Sequence, residues 1–140
     1  MKILQDNFDP FLLPADRSLL RKHIQRELDE IREEVEETCK VVSDVRPVPQ
    51  QAYDETSTLL KRISPGIPMP DLMWLEDGGI GLEWRPGDGI ITISLYGDEH
   101  VNFVVVLDDQ HEIAGTCPLS DPFLLPNFLT ILPELFQRRT

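Results

Sequence analysis

The sequence predicts an α+β fold: two N-terminal helices, a four- or five-stranded antiparallel meander sheet and a short C-terminal helix. Three observations carry that expectation. From Asp16 to about Val42 apolar residues recur at alternating spacings of three and four, the pattern of an amphipathic helix. From Asp71 to Thr116 they instead alternate with polar residues in short runs broken by Asp and Gly. The connections between those runs are only a few residues long, and short connections join antiparallel neighbours.

Residues Met1 to Pro14 form an arm too broken by proline to be a helix, with apolar weight from Phe8, Phe11, Leu12 and Leu13. Its Asp9-Pro-Phe-Leu-Leu-Pro14 recurs as Asp121-Pro-Phe-Leu-Leu-Pro126. Asp-Pro followed by a second proline marks entry into a helix. The alternative is a docking segment that a homodimer exchanges, with Phe11 and Leu12 as candidate contacts.

The long helix carries Leu20, Ile24, Leu28, Ile31, Val35, Thr38 and Val42 as a narrow seam, which suits packing against one other helix of this chain or another. Arg46-Pro-Val-Pro49 breaks the chain. A second helix spans Gln51 to Ile63, with Ala52, Thr56, Leu59, Leu60 and Ile63 on one side, and Ser64-Pro65-Gly66 ends it. One domain is expected over 1–140: a helical half at about 15–63, a sheet half at about 70–117 and a C-terminal helix at about 122–137.

Pro65 to Pro70 is an extended connector. The first strand, Asp71 to Glu76, sets Leu72 and Trp74 against Met73 and Leu75; Asp77-Gly-Gly79 turns it into Ile80 to Arg85. Further strands follow at Ile90 to Tyr96, with Ile91, Ile93 and Leu95 inward, at Val101 to Leu107, and more weakly at Glu112 to Thr116. Val101 to Leu107 is apolar on both faces from Phe103 onward, which places it centrally, covered on both sides. After Asp121 comes a helix-sized apolar load from Phe123 to Phe136, limited by Pro126 and Pro133 to short or kinked turns.

At Asp77-Gly-Gly-Ile-Gly-Leu-Glu-Trp84, with the Pro-rich lead before it, the chain resembles small bacterial proteins that share such a β-hairpin. The likeness runs from about Leu59 to Leu107. This sequence departs from it in having Leu72-Met-Trp-Leu75 where a shorter lead is usual, and in its long acidic helix. The resemblance implies an accessory partner, in some cases one half of a toxin–antitoxin pair, and brings no catalytic residues with it.

Charge narrows the function classes. With 25 acids against 13 Lys and Arg the net charge is −12, which repels phosphate backbones, so direct nucleic-acid binding is not expected. A basic protein partner fits better. The long helix begins with Arg17, Arg21, Lys22 and Arg26, then turns acidic, an order that opposes its own macrodipole. Either an antiparallel pair of this helix (residues 16–42) or a basic partner along Glu30, Glu33, Glu34 and Glu37 would use it. Cys39 and Cys117 lie in no metal spacing, no leader is apparent and no apolar run approaches a membrane span, so a soluble cytoplasmic protein with free thiols is expected.

No nucleophile elbow, phosphate loop, zinc or dinucleotide signature occurs, and His100 and His111 flank one strand at its two ends. No catalytic, cofactor or metal residue is assigned. The leading expectation is a non-enzymatic acidic protein–protein interaction module, antitoxin-like or accessory. A ligand-binding or hydrolytic domain using carboxylates near Glu83, with Trp84 and Arg85 lining a cleft, is the alternative, and a structural subunit of a homo-oligomer is a third.

Overall fold

The computed structural model describes residues 14–63, 67–108 and 111–121, and over them the fold is α+β. Helix α1 spans Pro14–Val41 and α2 Gln50–Arg62; strands β1 Asp71–Leu75, β2 Gly79–Trp84, β3 Ile90–Leu95, β4 His100–Asp108 and β5 His111–Pro118 follow. The expected helix at about 122–137, and Phe11 and Leu12 of the arm, lie outside the described residues.

All four strand pairings are antiparallel and the order is β1-β2-β3-β4-β5, so each strand pairs with its neighbours in sequence. The Asp77-Gly-Gly79 turn closes through the Gly78 amide on the Leu75 carbonyl at 3.0 Å, with Gly78 at φ +99°, a region that costs a side chain. Strand alternation sorts the faces. Ile80, Leu82, Trp84, Ile91, Ile93, Leu95, Val101 and Val105 point to the helices and are buried. The weak fifth strand is longer than expected; at Gly115 an added Cβ would stand 2.7 Å from the Phe103 ring that lies over it.

The α1 seam is spent inside the chain. Ile24, Leu28, Ile31 and Val35 are buried in the core with Ala52, Tyr53, Thr56, Leu59 and Leu60 of α2 and the helix-facing side of the sheet. Each such aliphatic side chain contributes roughly 1.5–3 kcal/mol when fully buried. Val42, the last seam position, is exposed instead, because the helix has ended. Trp74 of β1 donates its indole N–H to Glu34 of α1 at 2.8 Å, fixing the helix along that edge. The segment between the helices buries Val45 and Val48 and is held to the first hairpin by the Arg46 amide on the Glu76 carbonyl at 2.9 Å.

Candidate functional site

The four candidate carboxylates of α1 do not share one role. Glu34 turns toward the sheet edge and accepts the Trp74 indole. Glu30, Glu33 and Glu37 are exposed, and no described cation stands within ion-pair reach of them. Their neighbours are partly engaged: Gln25 Nε2 donates to Asp29 at 2.8 Å, and His23 Nε2 lies 2.6 Å from Glu27. The side of α1 opposite the seam is therefore a polar ridge, with a shallow groove of about 410 Å³ along Lys22, Gln25, Arg26, Asp29, Glu30 and Glu33.

Glu83, Trp84 and Arg85 are not brought to one surface. Alternation turns Trp84 into the core, 3% exposed, where its indole N–H donates to the Pro68 carbonyl at 2.8 Å and fastens the Pro-rich connector. Glu83 lies on the other face of the sheet, where Arg85 donates to it through Nε and Nη2, both at 2.8 Å. That face is only partly roofed. Tyr96 covers Gly79, Met73 and Leu75 cover Gly81, and Val104 is 37% exposed.

A second concavity of about 350 Å³ lies between α1 and the segment leading to α2, lined by Arg32, Val35, Glu36, Cys39, Lys40, Pro47, Val48 and Tyr53. The Arg32 guanidinium sits 4.1 Å over the Tyr53 ring and donates to Gln50 Oε1 at 2.6 Å. Burial pushes the Tyr53 phenol up, against the opposing pull of Arg32. Cys39 Sγ points at the Val45 carbonyl 3.6 Å away, and none of the described residues lining the cleft is a histidine.

Sequence reasoning missed Glu55. This α2 residue is 5% exposed, and its Oε2 accepts from Gln51 Nε2 at 3.0 Å and from the Glu99 amide at 2.9 Å. Glu99 has φ +66° and Gly97 φ +79°; a Cβ on Gly97 would stand 3.0 Å from the Ala52 amide nitrogen. Glu55 thus clamps the β3–β4 turn onto α2, while its Oε1 is buried with no hydrogen-bond partner among the described residues. Its signal was available, because it falls three after Ala52 and four before Leu59, on the apolar side of α2. His100 and His111 stand at opposite ends of the β4–β5 pair, opposite Pro118 and Asp108 respectively.

Comparison with protein-family models, curated proteins and solved structures found no match to this chain. Among the described residues no helix is long and apolar enough to cross a membrane, and no group of three or more His, Cys, Asp or Glu is placed to hold a metal ion.

Proposed function

We propose that this protein is a non-enzymatic acidic interaction module that works in the cytoplasm and docks a basic partner on the outward ridge of α1, as an antitoxin or accessory subunit would. The observation that carries this reading is the trio Glu30, Glu33 and Glu37: exposed, without a described cation, and mounted on a helix whose apolar side is already used by its own core. A rigid helix presents charge without ordering it on binding, so little of the attraction is lost to entropy. Free Cys39 and Cys117 agree with a reducing compartment.

The test compares pull-downs from the native host with the wild type, with E30Q/E33Q/E37Q, and with D54N/D88N/E112Q. Both variants lose the same number of acids, but the second loses them away from α1. A basic protein retained by the wild type and the second variant, and released by the first, is the expected result. Equal retention by both variants would refute the assignment of the ridge.

A further inference from the structure

The charge order of α1 opposes its macrodipole, and nothing described in the fold uses it. Lys22, Arg26 and Glu33 are exposed and form no described hydrogen bond or ion pair, while Asp29 has only Gln25. These four residues, spaced by four, three and four, occupy the pole of α1 opposite Ile24, Leu28, Ile31 and Val35 and line its shallow groove. Their placement along the helix is two-fold complementary. About the midpoint between Glu27 and Leu28, Lys22 and Glu33 lie equally far in opposite directions, roughly 8 Å each, and Arg26 and Asp29 roughly 2 Å each.

We propose that, where no basic partner covers it, the Lys22–Glu33 stretch of this ridge pairs with a second copy of the chain, with the two α1 helices antiparallel about a two-fold axis at that midpoint. Lys22 then faces Glu33 of the other copy and Arg26 faces its Asp29, each pairing occurring twice, as an isologous contact requires. Gln25 and Glu30 flank them. The same alignment sets the positive ends of the helices beside negative ones, as antiparallel dipoles prefer. The proposal rests on the reading of the ridge as a docking surface and replaces the apolar seam, which the core has taken, with the opposite polar face. With no apolar residue among the four, the contact is weak, reversible and sensitive to salt.

Two variants of identical net charge test the register. K22E/E33K restores opposite charges at every facing position, whereas K22E/D29K sets like charges against each other at every one. Sedimentation velocity on the full chain at up to about 1 mM, in about 20 mM and about 500 mM salt, reads the dimer fraction. The expected outcome is wild-type dimer at low salt that dissociates at high salt, a K22E/E33K constant within about threefold of wild type, and at least about tenfold weaker association for K22E/D29K.

Wild type that stays monomeric at low salt, or two variants that behave alike, overturns the proposal. Failure here, with E30Q/E33Q/E37Q still releasing a basic partner, removes the self-pairing and leaves the docking surface standing. Failure of both removes both.

Discussion

Replacing Gly79 by Ala probes how the open face of the first hairpin is closed. An added Cβ would stand 2.6 and 2.7 Å from two carbons of the Tyr96 ring, so the ring must leave. With it goes the hydrogen bond from the Tyr96 hydroxyl to Asp77 Oδ2, now 3.0 Å long, which contributes about 1 kcal/mol at this exposed site. Uncovering roughly 40 Å² of apolar ring contact costs about 1 kcal/mol more. Against these, Ala gains about 0.5–1 kcal/mol over Gly within a strand. G79A should therefore destabilise by about 1 kcal/mol or more in the wild type and by about 2 kcal/mol less once Tyr96 is already Ala, because the remaining close neighbour, the Leu95 carbonyl at 3.1 Å, is present in both backgrounds. The coupling between the two sites comes to about 2 kcal/mol, measurable as a double-mutant cycle from urea unfolding followed by tryptophan fluorescence. Additivity within about 0.5 kcal/mol would refute the account of Tyr96 as the roof of Gly79.

Removing Glu55 as Glu55→Ala leaves the Glu99 amide without its acceptor and empties a buried site, so unfolding free energy should fall by about 2–4 kcal/mol in urea titrations, whereas Arg85→Ala, on an exposed pair, should change it by less than about 1 kcal/mol. Tyr53 and Tyr96 are both raised above the ordinary phenol value of 10.0, chiefly by burial, so above that pH the unfolded chain gives up these protons first and stability falls as pH rises. Tyr53→Phe and Tyr96→Phe should each flatten the alkaline limb of Tm against pH and leave Tm below pH 8 free of a new pH slope. Cys117 is 1% exposed with its thiol pushed up, so a disulfide reagent at pH 8 should label Cys39 first and Cys117 only on unfolding; in Cys39→Ser the fast phase should vanish.

Much of the architecture was legible because it is local. The three-and-four spacing placed α1 within two residues of its observed start, and the Pro-rich punctuation placed α2 within one at either end. Alternation gave the correct inward face for Ile91, Ile93 and Leu95 and grouped Leu72 with Trp74, which both pack against the core. It also puts Glu83 and Arg85 on the side of β2 opposite Trp84, as observed, and a cleft lined by all three runs against that alternation. The seam of α1 was visible, but its partner was not, because an apolar stripe does not name the surface that buries it. Glu55 was passed over for a related reason: the amide that holds its carboxylate comes from Glu99, 44 residues away.

The meander order bears on how the chain finds its structure. Every strand pairing joins segments adjacent in sequence, so the sheet can zip hairpin by hairpin with short loop closures. The helical layer is different. Its polar ties to the sheet half, Glu34 to Trp74 of β1, Glu55 to Glu99 of the β3–β4 turn and Arg62 to the Leu119 carbonyl just past β5, span 40, 44 and 57 residues. Those bonds close far longer loops than the hairpin turns do, so each carries the larger loop-closure cost and depends on helix and sheet together.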